Sequence, residues 1–280
     1  MFREILQRNK VSIVLFHDLN ASCAEKNFTY LKKHYNIISL NRFIQAVEEN
    51  NPALLPRKAL IITFDDGHIG NYNLLPAIIR IEIPVTIFLC SDIVATNRKF
   101  WFKYSALTDT EQLKQLTNEE RLAALAAEGF EQAAETSETE ALQMQHIEDM
   151  KPFVNFQSHT RFHPCLPFCS DDEAKSEIAG SRSMLENRFG LSINAISYPN
   201  GDYSNRDIEL SRHAGYKCGI TVDYGFNDLN SNLFKLKRLS VNDTGDINEL
   251  MVKASGLWAF LKTRNGKKQP YGFIERKSGC

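Results

Sequence analysis

Apolar residues along this chain follow two alternating rhythms. Short unbroken runs, Val11-Ser12-Ile13-Val14-Leu15-Phe16, Ala59-Leu60-Ile61-Ile62-Thr63-Phe64 and Val85-Thr86-Ile87-Phe88-Leu89-Cys90, have the length and β-branched content of strands buried on both faces. Between and after them, Phe28, Leu31 and Tyr35, then Phe43 and Val47, then Tyr72, Leu75 and Ile79 recur at helical spacing, with a short strand expected over 36–40. Pro76 falls early enough in the third of these helices to be tolerated or to kink it. The alternation returns after residue 150 with a strand over 153–157. Ser170-Asp171-Asp172-Glu173 then caps a helix with Ala174, Ile178, Leu185 and Phe189 on one face and Gly190 as its stop. A strand over 194–197, a helix over 204–214, a strand over 218–222 and a last strand between 234 and 241 complete the series. Strands separated by helices predict parallel neighbours, because each crossover needs a dozen or more residues, so the fold class is α/β.

The rhythm breaks once, between Phe100-Trp101-Phe102 and residue 150. Thr117-Asn118-Glu119-Glu120 and Ser137-Glu138-Thr139-Glu140 both have capping-box spacing, which predicts a helical insertion over 105–150 held to the body by its flanking aromatics. Such an insertion could cover a site or be a surface excursion. The basic, glycine-containing tail over 259–280 is expected to be loosely held.

With 280 residues and 43% hydrophobic content, the chain can bury the core of one barrel-sized domain, here 1–280 with its core over 11–241. The net charge of -1 gives no electrostatic case for nucleic acid or an anionic membrane and favours a neutral or weakly charged substrate. Six cysteines (Cys23, Cys90, Cys165, Cys169, Cys218, Cys280) form no CxxC pair and read as reduced thiols. The apolar run over 11–16 is too short for a signal segment, and no stretch reaches membrane-spanning length, so a soluble cytoplasmic protein is expected.

The chemistry gathers where strands end. Ile61-Ile62-Thr63-Phe64 runs into Asp65-Asp66-Gly67, and burying adjacent carboxylates costs free energy unless a cation or hydrogen-bond donors compensate. Downstream, Ser158-His159-Thr160-Arg161-Phe162-His163-Pro164 offers two imidazoles four positions apart. One carboxylate and two imidazoles make a three-ligand site with a free coordination position, so Asp66, His159 and His163 are the candidate metal ligands. Asp65 is then free to act as a base toward an attacking water. A backbone N–H from the loop Pro199-Asn200-Gly201 could meet the oxyanion, and His17, after the first strand, is the candidate acid for a departing amine. His17, Asp65-Asp66, His159 and Tyr198-Pro199 each follow the carboxyl end of an expected strand, the rim on which β/α barrels build sites. His68 is expected to point away, and Cys165 and Cys169 to be buried and inert.

Thr63-Phe64-Asp65-Asp66-Gly67 together with His159-Thr160-Arg161-Phe162-His163-Pro164 resembles the paired signature of the polysaccharide deacetylases, the NodB-homology carbohydrate esterases. The resemblance extends in pattern over 11–241. It implies a distorted (β/α)7 barrel that removes acetyl groups from N-acetylated sugars, with Asp65 as base and Asp66, His159 and His163 holding Zn2+, or Co2+, Ni2+ or Mn2+ in its place. The partner implied is an N-acetylated carbohydrate. Ser197-Tyr198-Pro199-Asn200 has a serine where the family usually carries an arginine that orients the base, and Arg238 is the candidate replacement from another strand. The usual late Leu-x-His is absent. The Val-Leu-Phe-His stretch ending at His17 and the Tyr-Pro-Asn-Gly form of 198–201 resemble the subgroup that includes enzymes acting on poly-N-acetylglucosamine, which makes Tyr198, Pro199 and Asn200 candidate substrate or oxyanion residues. Alternatives on the same site are an O-acetyl esterase, a non-sugar amidohydrolase, and a carbohydrate-binding homologue with weak turnover.

Overall fold

In the computed structural model, residues 9–104 and 109–264 are described. The strands are β1 (Ser12–Phe16), β2 (Asn36–Ile37), β3 (Ala59–Phe64), β4 (Val85–Leu89), β5 (Val154–Ser158), β6 (Ala195–Ser197), β7 (Cys218–Tyr224) and β8 (Leu236–Ser240). The helices are α1 (Ala21–His34), α2 (Leu40–Glu48), α3 (Leu75–Ile81), α4 (Trp101–Tyr104), α5 (Thr110–Leu113), α6 (Asn118–Ala127), α7 (Met144–Met150), α8 (Asp171–Phe189), α9 (Asn205–His213), α10 (Ile247–Ala254) and α11 (Leu257–Arg264). Strands run in the order β1-β8-β7-β6-β5-β4-β3, and β1 pairs back onto β3, closing a seven-stranded parallel barrel. β2 is a two-residue edge against the start of β3, below the point where β4 joins the same side. The closure is distorted where β5 and β6 share only the pair Ser158↔Ile196 and where the β7–β8 register shifts between Ile220 and Tyr224.

Side-chain alternation explains why a polar site sits above an apolar floor. Ile61 of β3, Ala195 of β6 and Leu236 of β8 belong to one buried cluster with Ile13, Phe88 and Ile220, which Leu40, Phe43 and Ile44 of α2 close from below. Two or four positions further along the same strand faces stand Asp65, Ser197 and Arg238, so the barrel interior changes from aliphatic to charged toward its carboxyl rim. The opposite strand faces, with Val14, Phe16, Ile62, Phe64, Ile87 and Leu89, pack outward on Phe28 and Leu31 of α1, Ile78 of α3, and Ile178 and Leu185 of α8.

Most expected elements are present within one or two residues. The Ser170–Glu173 capping box opens α8, and Gly190 closes it at φ 63°. Three expectations are corrected. The strand over 36–40 stops at Ile37, because Ser39 accepts the Arg42 N–H and caps α2 instead. The insertion is only partly helical: Thr117 forms its capping box, but no helix starts at Ser137. There the Glu140 carboxylate accepts the Phe100 N–H at 2.9 Å, and Leu142 N–H bonds the Gly67 carbonyl, which holds the segment extended against the loop after β3. The tail begins as α11 rather than as loose chain; residues 105–108 of the insertion and 265–280 of the tail lie outside the described residues. No described helix is long and apolar enough to cross a membrane.

Candidate active site

Both acidic residues leave β3 through a turn that uses left-handed backbone. Asp66 has φ 74° and Gly67 φ 78°, and a Cβ on Gly67 would stand 2.6 Å from Leu89 Cδ2, so any other residue here would be strained and would have to displace Leu89. The histidine segment does the same at Thr160 (φ 66°) and His163 (φ 59°). Non-glycine residues in this region cost on the order of 1–3 kcal/mol each and persist where the surroundings over-determine them, a pattern that clusters at functional sites. Here the surroundings are visible. Ser91 and Asp92 amides bond the Thr160 and Arg161 carbonyls, Asp92 makes a two-point pair with Arg161, and one oxygen of Glu177 on α8 accepts the Arg161 and Phe162 N–H groups at 2.8 and 2.9 Å. Burial pushes the Glu177 carboxyl up to about 7 against those donors.

The turns bring three buried side chains together. Ligand atoms of Asp66, His159 and His163 all lie within 4.8 Å of one another. Asp66 Oδ1 is 3.3 Å from His159 Nε2 and 3.4 Å from His163 Nε2, and it has no hydrogen-bond partner among the described residues. His159 Nδ1 lies 2.8 Å from the Ser197 carbonyl, which can only accept, so the proton sits on Nδ1 and the Nε2 lone pair faces the carboxylate. A lone pair aimed at an unpaired anionic oxygen is repulsive unless a cation lies between them or the ring takes a second proton. Burial opposes that proton on His159, yet the negative charges of Asp65 and Asp66 raise its pKa, whereas burial takes His163 down to about 3. One oxygen and two imidazole nitrogens, one already held from behind by a carbonyl, fit a divalent transition ion.

Asp65 is built differently. It is 3% exposed, and Arg238, fully buried on β8, grips it with Nη1 to Oδ1 and Nη2 to Oδ2, both at 2.8 Å. Ser197 accepts from Arg238 Nη2 and donates to Asp65 Oδ2, each at 3.0 Å, while Arg238 Nε is tied to the Thr221 carbonyl. Burial alone would raise the Asp65 pKa, but the Arg238 charge and those of His159 and His17 lower it below the ordinary carboxylate value. The serine in the place of the expected arginine thus completes a lock whose cation arrives from β8.

The other candidates are less tightly held. His17 is exposed at the rim, its backbone N–H on Asp243 Oδ1 and its Nδ1 4.0 Å from Asp243 Oδ2. Tyr198 follows an inward serine and therefore points outward: its ring stacks on Tyr203 and its hydroxyl meets the Phe234 carbonyl, so only its backbone is near the loop that was expected to bind substrate. Pro199 is buried in a turn that closes with Gly201 N–H on the Tyr198 carbonyl. Asn200, at φ 57°, sends Nδ2 to Cys165 Sγ at 3.4 Å. Cys165 and Cys169 are buried, and burial raises both thiols, Cys165 to about 11, so they are inert. His68 does not point away. Its Nε2 lies 3.0 Å from Asp66 Oδ2, a contact that adjacency in sequence allowed but did not specify.

The rim of the barrel thus carries a buried Asp-His-His group beside a carboxylate separately locked by Arg238. A family model described as polysaccharide deacetylase matches residues 55–219, and the chain belongs to that family. It is 24% identical over 186 residues to a Bacillus subtilis (strain 168) protein, YxkH, whose name assigns it to the polysaccharide deacetylases; the match covers 66% of this chain and 52% of YxkH, so the chain spans about half the length of that relative. Among solved structures, the Streptococcus pyogenes deacetylase PplD in complex with acetate superposes with a TM-score of 0.66 at 19% identity, covering 88% of this chain and 99% of that one. IcaB from Ammonifex degensii gives 0.62 at 14% identity, covering 90% and 97%. At these identities the structural likeness is one of fold.

Proposed function

We propose that this protein is a metal-dependent hydrolase that removes the acetyl group from an N-acetylated sugar or oligosaccharide. The observation that carries the reading is the division of labour between adjacent aspartates: Asp66 faces two imidazoles with an unpaired oxygen, and Asp65 is held ionised by Arg238. Asp66, His159 and His163 would hold the ion, most simply Zn2+, which when bound supplies an acidified water and polarises the acetyl carbonyl. Asp65 takes the proton of the attacking water. Its two-point pair with Arg238 fixes where that oxygen lies, and the low pKa keeps it ionised at neutral pH. Within the 199–201 loop the Asn200 N–H would be the donor to the oxyanion, since Pro199 has none and Gly201 uses its own within the turn. His17 delivers a proton to the departing amine.

Acetate release from N-acetylglucosamine oligomers, abolished by a chelator and restored by Zn2+, is the expected result. Release from acetate esters alone would replace this reading with an esterase, and sugar binding without release would replace it with a binding protein. The exposure of His17 sharpens the first distinction. An alcohol leaves with less help than an amine, so His17→Ala is expected to slow amide cleavage by about 10²-fold and ester cleavage much less. Equal losses of kcat on both substrates would remove His17 as the acid.

A further inference from the structure

We propose that His68 is a positioning residue for Asp66, and that Lys103, in the segment entering the insertion, fixes the proton on the ring that does the positioning. The inference rests on the reading that Asp66 ligates a metal, and it concerns how that ligand is aimed.

His68 is 4% exposed and bridges two charged groups. Its Nε2 is 3.0 Å from Asp66 Oδ2, and its Nδ1 is 3.0 Å from Lys103 Nζ. An ammonium group only donates, so Nδ1 must accept, and the ring proton is on Nε2, directed at the carboxylate. The consequence is an asymmetric aspartate. Oδ2 is occupied by a hydrogen bond, while Oδ1, buried and unpaired, is turned toward His159 and His163. Without His68 the carboxylate could rotate about χ2 and present either oxygen, both oxygens or neither. His68 is not itself a member of the group whose ligand atoms lie within 4.8 Å of one another, so its place is behind the ligand rather than in the set.

The ring is also held from the sides. It packs edge-on against Phe100 with centroids 5.0 Å apart, and its backbone bridges Ala141 in the extended part of the insertion. Lys103 stands over the same Phe100 ring. Trp101, two residues earlier on α4, donates its indole N–H to the His163 carbonyl at 2.7 Å. One turn of helix therefore reaches both ligand loops, Asp66 through His68 and His163 through its main chain. That assigns the segment leading into the insertion a task in shaping the centre.

The test is Co2+ affinity of the full-length protein, read from the visible absorption of the bound ion, for the parent, His68→Phe, His68→Gln and Lys103→Met. Partners behind a metal ligand typically account for 10–100-fold in affinity, so His68→Phe is expected to raise the Co2+ Kd by about that factor. His68→Gln, whose amide N–H can reach where Nε2–H was, is expected to recover most of the loss, and Lys103→Met to show a smaller loss. Parent-like affinity in His68→Phe would overturn the proposal. So would a His68→Gln variant as weak as His68→Phe, which would make His68 a ligand. Should His68→Phe not fold by circular dichroism, the Gln and Met variants decide between these outcomes. Failure of the underlying reading has a different signature: Asp66→Ala would bind Co2+ as tightly as the parent, and both claims would fall.

Discussion

Replacing Asp65 by asparagine is expected to cut kcat by about 10²–10⁴-fold while leaving the metal in place, because the substitution removes a proton acceptor and little else. Asparagine matches the aspartate in shape and keeps one oxygen for Arg238 or Ser197. Asp65 lies outside the group of Asp66, His159 and His163, with its Oδ2 3.9 Å from His159 Nε2. Metal content measured alongside turnover separates the roles of the two aspartates. A variant with parent-like turnover would remove Asp65 as the base, and one that lost metal together with activity would make it a ligand.

The second large effect is expected at Arg238, where methionine would fill the volume and leave Asp65 buried without its counter-ion. Breaking a fully buried pair from one side costs about 3–5 kcal/mol, since the remaining charge keeps its desolvation penalty. The pH dependence follows from the signs. In the parent, Asp65 has a folded-state pKa below its ordinary value of 3.8, so its ionisation contributes stability above that pH, lost as pH falls through the lower folded value. In Arg238→Met burial prevails and the folded pKa rises, so ionisation becomes unfavourable to folding as pH climbs through the carboxylate range. The deficit relative to the parent should therefore be larger at pH 8 than at pH 4, read by chemical denaturation, and the acid limb of kcat/KM should move to higher pH. A variant as stable as the parent at pH 8 with an unmoved acid limb would mean that the Arg238 pair does not hold Asp65 ionised.

What could be read from the chain follows the physics of its core. Strands such as β3 and β4 are continuous apolar runs, and the polar clusters at their carboxyl ends could be placed on one rim before any geometry was known. Arg238 was reachable because Ser197 left a carboxylate without its usual cation, and a buried acid must find one. His68, Lys103 and Glu177 were not reachable in this way. Each acts through a contact between segments far apart or through a ring orientation, and a lone histidine, a lysine after aromatics and a glutamate on a helix carry no periodic signal. The Ser137 to Glu140 spacing failed for a related reason: a capping box states what a helix end can satisfy, and the pairing of residues 141 and 142 with the β3 loop competed for the same chain and won. The outward turn of the Tyr198 side chain depends on one residue of pleat, since the inward position belongs to Ser197.

Anomalous X-ray diffraction at the zinc absorption edge, from crystals of the protein grown with Zn2+, tests the central claim most directly. The account predicts one buried peak about 2.0–2.2 Å from an Asp66 carboxylate oxygen and from one imidazole nitrogen each of His159 and His163, with Asp65 beyond ligand distance. A crystal with Zn2+ bound elsewhere and no peak among these three side chains would contradict it.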